Sequence, residues 1–434
     1  MTLTDLSAPV MRDTRLEGLP VAIIGSGPVG LAAAANLVER GMHFVILEAG
    51  AEPAASVRAW GHTRLFSPWE HVIDPAARRL LEAAGWTAPA NEDEAPTGAD
   101  LVEHYLAPLA ALGVIADRLR LGVRVDAVSR LGMDRTRSNA RSSTPFVLRV
   151  TDGAIAELSA SAVIDASGTY GSPNSLGSSG LDPLGINEVR DLVTHALPDV
   201  LDSERSRFAA KHVAVVGAGH SAANTLINVA ALIESEPGTR VTWVIRNPTA
   251  ARVFTSDDDE LSRRASLGSR VQSLVDRGVI DVLDSFEITG LARLGDRVQL
   301  TGSRAGQVAQ LTADVIVNAT GFRPDLAMLR EIRLDLDEVV EAPRQLAPLI
   351  DPNIHSCGTV EPHGFAELQQ PEPNFFLAGM KSYGRAPTFL LATGYEQVRS
   401  ISAYLAGDLA AARAVELVLP ATGVCSTGSA ASCC

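Results

Sequence analysis

The chain has 434 residues, a length that predicts two or three domains, or two large ones. Its apolar content of 46% is ample for a large core, and its four cysteines are too few for a disulfide scaffold. A formal net charge of −14 argues against nucleic acid as a partner. No apolar run reaches the roughly 18 residues that a membrane helix needs, and the N-terminus lacks the pattern of a secretory signal. We therefore expect no membrane association and a cytoplasmic location.

The pattern over residues 21–39 is strand, glycine-rich turn and helix. The apolar run VAII leads into GSGPVG, which has Gly25, Gly27 and Gly30 in the G-x-G-x-x-G spacing, with Pro28 at the helix start. Gly25 permits a tight turn, Gly27 lets a pyrophosphate approach the backbone, and Gly30 lets the helix pack closely on the strand. The helix N-terminus adds free N–H groups and partial positive charge. The motif predicts dinucleotide binding.

The next apolar strand ends on Glu48, eighteen positions past Gly30. A carboxylate there accepts the hydroxyl groups of an adenosine ribose and repels a 2′-phosphate. Alternatively, the glycines only form a tight turn in a βαβ unit that binds no nucleotide. The alternation of strand and helix patterns along the chain predicts an α/β fold.

A mostly irregular and helical segment, residues 51–117, follows this unit. Its stretch WGHTRLF places His62 and Arg64 near a cofactor bound to the first unit. Alternatively, Trp60 and Phe66 belong to the core, and His62 and Arg64 lie on the surface. Short alternating strands over 119–162 then predict a β-meander inserted in the first domain. It ends in the strand AVIDA and the turn SGT at 167–169.

A second dinucleotide signature begins at residue 212. The strand HVAVV leads into GAGHSA, with Gly217 and Gly219 followed by His220 and Ser221. Ala222 replaces the third glycine and is small enough for the same close packing. We therefore assign Gly217, Gly219, His220 and Ser221 to a second nucleotide site.

The strand that follows the second signature ends on Arg246, where the first unit has Glu48. An arginine suits a 2′-phosphate, so this unit is predicted to bind NADPH, and the first unit then binds FAD. Alternatively, Arg246 pairs with a surface carboxylate.

The chain returns to an apolar strand at 313–318, which ends in ATG with Gly321 at the turn. This end echoes the strand and turn at 162–169, so both are predicted to form a hinge. We predict a discontinuous FAD domain over 18–172 and 312–410, an NADPH domain over 173–311, and a flexible cysteine-containing tail over 411–434.

The closing run of the FAD domain has Gly379 next to the predicted flavin site, followed by Lys381, Tyr383 and Arg385. A long helix is predicted to start at Pro387 and to point its positive end at whatever lies before it.

Two G-x-G-x-x-[GSA] units, the second nested between two strand–[AS]-[ST]-G elements, resemble the two-dinucleotide-binding-domain flavoproteins. The GAGHSA unit is similar to that of flavin-containing monooxygenases, and the run FFLAGMKSYGRAPTFLLATGYEQVRS resembles flavoprotein monooxygenases of bacterial arsenic-resistance operons. Two features depart from the pattern. The F-x-G-x-x-x-H-x-x-x-[FY] fingerprint is absent. The Gly-Asp pair that usually holds the flavin ribityl chain is also absent, because Gly379 is followed by Met380 and Lys381.

The resemblance implies a monooxygenase in which NADPH reduces FAD and O₂ supplies an oxygen atom to a small soft nucleophile, such as a trivalent arsenical or a sulfur or nitrogen compound. The polar residues expected nearest the flavin ring are His62, Arg64, Lys381, Tyr383 and Arg385.

A second hypothesis rests on the tail, where Cys425, Cys433 and Cys434 are candidate ligands for a soft metal or metalloid ion. The adjacent pair resembles the C-terminal cysteines of mercuric reductases, which implies a reductase of a thiophilic metal(loid) or a disulfide. Incidental thiols on a terminal segment are the alternative. A non-catalytic flavin-binding sensor is a third hypothesis, and the second nucleotide unit argues against it. The oligomeric state stays open.

Overall fold

A computed structural model describes residues 14–249, 262–351, 362–387 and 389–417. The strands are β1 (Val21–Ile24), β2 (Phe44–Leu47), β3 (Leu119–Arg120), β4 (Arg124–Arg130), β5 (Phe146–Asp152), β6 (Ala154–Ala160), β7 (Ala162–Asp165), β8 (Val193–Thr194), β9 (His212–Val216), β10 (Arg240–Val244), β11 (Asp281–Leu283), β12 (Phe286–Leu294), β13 (Arg297–Arg304), β14 (Gln307–Ala313), β15 (Val315–Asn318) and β16 (Phe375–Leu377).

The α-helices are α1 (Pro28–Glu39), α2 (Ala55–Ala59), α3 (Pro75–Ala83), α4 (Gly98–Leu101), α5 (Ala107–Ala111), α6 (Gly113–Ala116), α7 (Arg205–Phe208), α8 (His220–Ser235), α9 (Ser262–Asp276), α10 (Ala347–Ile350), α11 (Phe365–Leu368), α12 (Leu391–Leu405) and α13 (Leu409–Arg413). A π-helical turn over Val102–Leu106 joins α4 to α5.

The first domain is built on a five-stranded parallel sheet in the order β16-β7-β1-β2-β3. Strands β1, β2, β7 and β16 are buried along their whole length, as their continuous apolar runs predict for a sheet that is covered on both faces. Helix α1 connects β1 to β2 and packs against α12 and α3. The carboxyl ends of β1, β7 and β16 lie side by side, because Ile24 and Leu377 both pair with Asp165.

The second domain repeats this plan with the parallel sheet β11-β10-β9-β15-β8. It is inserted between β7 and β16, and the α/β fold with two dinucleotide-type sheets is therefore confirmed. Strand β15 pairs with β9 rather than with the first sheet, so the return to the first domain lies after Asn318 and not at residue 312. The apolar sequence of β15 would fit in either sheet, and only its pairing with β9 shows that it belongs to the second.

Each domain also has a three-stranded antiparallel meander. The order β4-β5-β6 confirms the meander predicted over 119–162, and β12-β13-β14 forms a second one in the inserted domain.

Four apolar clusters fill the space around the two large sheets, two for each domain. Phe66, from the segment after β2, packs against the core of the second domain, so this segment joins the two domains.

The closing helix of the first domain differs from its prediction. Helix α12 begins at Leu391, with Leu390 as its N-cap, and not at Pro387. Gly394 lies in its first turn, and a Cβ there would come within 2.7 Å of a methyl group of Val29, so the close packing of α12 on α1 requires this glycine. No helix in the described ranges is long and apolar enough to cross a membrane.

Candidate functional site

The first glycine-rich loop has the geometry that its three glycines predict. Gly25 has a φ of +96°, and a Cβ there would lie 2.9 Å from the carbonyl oxygen of Ala166. At Gly30 a Cβ would lie 2.0 Å from the carbonyl oxygen of Gly25. At Gly27, by contrast, a Cβ would meet no atom within 4 Å. The outer two glycines are therefore required by the fold, and the middle one leaves space above the backbone.

Helix α1 starts directly behind this space. Gly27 is the N-cap, Pro28 occupies the first turn, and no side chain caps the helix. The first N–H groups of an α-helix have no partner within the helix. They are therefore directed toward the open side of Gly27, where a diphosphate would be bound.

The carboxylate of Glu48 is held against the same loop. Its Oε2 accepts hydrogen bonds from the backbone N and from Oγ of Ser26, each at 2.8 Å, and its Oε1 accepts one from the backbone N of Gly50 at 2.8 Å. These donors fix the orientation of the carboxylate, and Oε1, which accepts one hydrogen bond, keeps a further lone pair for a ribose hydroxyl.

The ends of β7 and β16 complete this edge of the sheet. Asp165, the last residue of β7, accepts hydrogen bonds from Ser167 through Oδ1, at 2.6 Å from Oγ and 3.2 Å from the backbone N. Gly379, just after β16, has a φ of +67° and donates its N–H to Oε1 of Gln397 at 2.8 Å. Lys381 lies beside Asp165, with its Nζ 2.7 Å from Oδ2.

The second glycine-rich loop has the same geometry on the second sheet. Gly217 has a φ of +131°, and a Cβ there would lie 2.1 Å from the carbonyl oxygen of Ala319. A Cβ at Gly219 would meet nothing within 4 Å, and Ala222 is fully buried. Helix α8 begins at His220, followed by Ser221, so both lie in its first turn. The ring of His220 contacts that of Phe66 edge to face, with centroids 5.2 Å apart.

Arg246 lies exposed just beyond the carboxyl end of β10, next to this loop. β10 pairs in parallel with β9, whose end carries Gly217. The position matches that of Glu48 relative to the first loop.

Two chain segments connect the domains and pair with each other. Pro173 and Phe322 form an antiparallel bridge, and the backbone N of Asn174 donates to the carbonyl oxygen of Gly321 at 2.9 Å. The side-chain amide of Asn318 also donates to the carbonyl oxygen of Asn174. Gly321 therefore lies in the connection between the domains.

Of the five residues predicted nearest the flavin ring, two are buried and three are on the surface. Lys381 is 1% exposed, and Tyr383 is equally buried between the rings of His363 and Phe389. Burial raises the pKa of Tyr383 above its usual value, so the phenol stays protonated.

The side chains of the three surface residues are exposed. Arg64 donates to the carbonyl oxygen of Ala95 at 2.6 Å, and Arg385 forms an ion pair with Glu341 at 2.5 Å. His62 is exposed. Burial alone would raise the pKa of Asp199, but hydrogen bonds from Ser203 hold it below its usual value, and His62 adds a smaller effect in the same direction. Together with the packing of Trp60 on the first core and Phe66 on the second, these positions agree with the alternative interpretation of this segment.

The predicted metal ligands Cys425, Cys433 and Cys434 lie outside the described residues, as does Cys357. Within the described ranges, no group of three or more His, Cys, Asp or Glu side chains is arranged to hold a metal ion.

The residues present fit two dinucleotides. The two loops leave space at their middle glycines, Gly27 and Gly219, and helices α1 and α8 start behind that space. The carboxylate of Glu48 follows a strand of the first sheet, and the guanidinium of Arg246 lies at the corresponding place on the second.

Comparison with known proteins agrees with this geometry. Residues 22–357 match the family of pyridine nucleotide-disulphide oxidoreductases. The chain belongs to this family. The predictions of an oxidoreductase and of the cofactor pair FAD and NADPH are thereby confirmed at the level of the family. No curated protein matches the sequence significantly.

Solved structures similar to this oxidoreductase include both reductases and monooxygenases. Bacillithiol disulfide reductase Bdr (YpdA) from Bacillus cereus is 20% identical, with a TM-score of 0.66 over 90% of this chain and 99% of that chain. A flavin monooxygenase from Stenotrophomonas maltophilia, in a mutant form, is 24% identical, with a TM-score of 0.56 over 89% and 99%. The FAD-bound cadaverine monooxygenase DfoA from Erwinia amylovora is 16% identical, with a TM-score of 0.60 over 93% and 99%. At these identities the likeness shows the fold.

Sequence reasoning missed three residues of the first site: Ser26, Asp165 and Gln397. Ser26 lies inside the motif, but its bond to Glu48 depends on the pairing of β1 with β2. The signal for Asp165 was a charged residue at the end of an apolar strand, at the position of Asn318 in the second domain. Gln397 gave no signal, because its helix is polar at many positions.

Proposed function

We propose that this protein is an FAD-dependent, NADPH-reduced monooxygenase acting on a small soft nucleophile, either a trivalent arsenical or a sulfur or nitrogen compound. The observation that carries the proposal is the distribution of cysteines. No two of them have the C-x(2)-C or C-x(4)-C spacing of a flavin-linked redox disulfide. Electrons from the flavin therefore lack the usual dithiol acceptor, and O₂ needs none. The likeness of the closing run to arsenic-operon flavoproteins supports an arsenical substrate.

The chain's own residues have separate tasks in this function. The first loop and Glu48 would hold FAD, which would supply the two-electron chemistry that links NADPH to oxygen. The second loop and Arg246 hold NADPH, with the guanidinium on the 2′-phosphate. The paired connections at Asn174 and Gly321 join the two domains that carry these sites. We infer that Arg64 and His62, at the surface between the domains, lie near the entrance of the substrate.

The test is anaerobic reduction by NADPH followed by mixing with oxygen. NADPH should bleach the bound flavin. Reoxidation with methylated arsenite or a thioether present should then yield oxygenated product in proportion to NADPH consumed. Immediate formation of oxidised flavin and free peroxide with every substrate would contradict the oxygenase assignment. Failure of NADPH to bleach the flavin would contradict the nucleotide assignments as well.

A second candidate function is reduction of a thiophilic metal(loid) or a disulfide delivered by the tail. Three of the four cysteines lie within the last ten residues, and thiolates bind soft ions such as As(III) and Hg(II). Titration with As(III) should compare the full chain, a chain truncated after Pro420, and a full-length variant with serine at 425, 433 and 434. If the tail captures the ion, both altered chains bind it more weakly to the same extent. Equal binding by all three chains would contradict this function.

A further inference from the structure

A buried ion pair lies at the edge of the first sheet. The ammonium Nζ of Lys381 is 2.7 Å from Oδ2 of Asp165 and donates to Oγ of Ser167 at 3.1 Å. The side chains of Lys381 and Asp165 are 1% and 0% exposed. Ser167 in turn donates to Oδ1 of Asp165. The carboxylate and the ammonium balance each other's charge within this cluster of three side chains.

This cluster lies directly behind the loop that we assign to the FAD diphosphate. Asp165 is paired with Ile24, the residue just before Gly25, and its own carbonyl oxygen accepts the N–H of Ala378, just before Gly379. The turn that follows Asp165 reaches the loop itself, since a Cβ at Gly25 would lie 3.0 Å from Cα of Ser167. Any net charge in the cluster therefore acts on a ligand bound at the loop, through an interior of low dielectric constant.

The second domain shows that the turn itself needs no charge. Asn318 occupies the position of Asp165, and its Oδ1 accepts from the N and Oγ1 of Thr320, as Oδ1 of Asp165 does from Ser167. Nδ2 of Asn318 donates to the carbonyl oxygen of Asn174. The corresponding atom of Asp165, Oδ2, instead lies next to the ammonium group of Lys381. A neutral amide makes the same turn. The carboxylate at 165 thus places a negative charge beside an anion site, and Lys381 is the group that balances it.

We propose that Lys381 is a positioning residue for FAD: it neutralises Asp165, so that the edge of the first sheet accepts the diphosphate of the cofactor. Lys381 acts through Asp165 and Ser167, because its burial keeps it from direct contact with substrate. The inference rests on the proposed function, in that FAD binds at the first loop. It predicts that the sign of an unbalanced charge, and not only the loss of the ion pair, determines FAD affinity.

The test measures FAD binding to the full chain after removal of the cofactor, by quenching of flavin fluorescence, together with the urea midpoint of each apoprotein. The variants are Lys381→Met, Asp165→Asn and the double variant.

Lys381→Met leaves a buried carboxylate and should raise the Kd for FAD about tenfold or more. Asp165→Asn leaves a buried cation and should hold FAD at least as tightly as the wild type. Both single variants should lose stability, because each leaves an unpaired buried charge. The double variant should recover FAD binding to within about threefold of the wild type.

Lys211→Met is the matched control, because Lys211 is the other lysine of the chain and lies half-buried at the start of the second sheet. It should leave the Kd for FAD unchanged. Equal losses of FAD affinity in the two single variants would overturn the inference, as would wild-type affinity in Lys381→Met. A double variant that fails to fold or to bind FAD would overturn it too. A wild-type chain that binds no FAD would instead contradict the proposed function.

Discussion

Gly27 and Gly30 lie three residues apart, but their roles in the first loop are opposite. A Cβ at position 30 would lie 2.0 Å from a carbonyl oxygen, whereas one at position 27 would meet no protein atom within 4 Å. We expect Gly30→Ala to destabilise the apoprotein by several kcal/mol, because backbone must move to admit the methyl group. Gly27→Ala should leave the unfolding temperature of the apoprotein within a few degrees of the wild type but lower the FAD-to-protein ratio, because the methyl group enters the diphosphate space.

Thermal unfolding of both apoproteins and the flavin absorbance of the purified proteins measure these effects. A Gly27→Ala protein that retains a full complement of FAD would show that the open face of this loop is not the diphosphate site.

Asp74 is a fully buried carboxyl group at the start of α3. Burial raises its pKa to about 7 from the ordinary value of 3.8, although hydrogen bonds from the backbone of Ala77 and from Asn36 favour the charged form. The folded protein therefore binds a proton that the unfolded chain has lost, and stability falls as the pH rises between these two values. We expect the titration of Asp74 to lower the free energy of unfolding by roughly 3 kcal/mol as the pH rises from 5 to 8.

Asp74→Asn keeps an acceptor for the N–H of Ala77 but cannot titrate. Urea unfolding at several pH values should show a shallower decline above pH 5 for this variant than for the wild type. Parallel stability curves for the two proteins would mean that Asp74 is already charged in the folded state.

At the scale of elements, one carboxylate ties the first meander to the main sheet. Glu372, just before β16, forms ion pairs with Arg130 of β4 at 2.7 Å and with Arg141 at 2.8 Å, and its side chain is fully buried. Burial alone would raise the pKa of Glu372, but hydrogen bonds from Arg141 and Arg130 hold it below its usual value. Glu372→Gln should lower the free energy of unfolding by about 3–5 kcal/mol, because two buried cations lose their partner.

The control for this prediction is Glu157→Gln, which removes one partner of the exposed pair between β5 and β6 formed by Arg149 and Glu157. Exposed pairs contribute about 1 kcal/mol or less. Urea midpoints of the two variants at pH 7 make the comparison. A similarly small loss of stability in both variants would show that Arg130 and Arg141 become hydrated when Glu372 loses its charge.

The closing helix illustrates what local signals miss at this scale. Proline favours the first turn of a helix, so the sequence predicts a start at Pro387, yet α12 begins at Leu391. Before that start, Tyr383 and Phe389 pack ring against ring. The local preference of proline for a first helical turn therefore does not locate the start of this helix.

For the whole molecule, the two glycine-rich loops that we propose as nucleotide sites lie on separate sheets with separate cores. Gly219→Ala should therefore impair one site alone. We expect the KM for NADPH to rise roughly tenfold, about 1.4 kcal/mol, because the added methyl group occupies the diphosphate space of the second loop. FAD content should stay at the wild-type level, and dithionite should still reduce the flavin.

Gly27→Ala gives the reciprocal control, with FAD lost and the second domain intact. Flavin reduction by NADPH and by dithionite, followed by absorbance in both variants, separates the two sites. Loss of FAD from Gly219→Ala would mean that the domains stabilise each other across their connection rather than folding on separate cores.

The sequence by itself determined the α/β class, both glycine-rich loops, Glu48 and Arg246 at matching strand ends, the first meander and the insertion of one domain in the other. These features depend on residues close together along the chain, where strand alternation and glycine conformation have local causes. Only the tertiary structure decided that β15 belongs to the second sheet, that Glu372 balances Arg130 across 242 positions, and that Lys381 lies buried beside Asp165 rather than open to a substrate. Such contacts depend on which strands pair and which ends they bring together, and no local pattern in the chain specifies that.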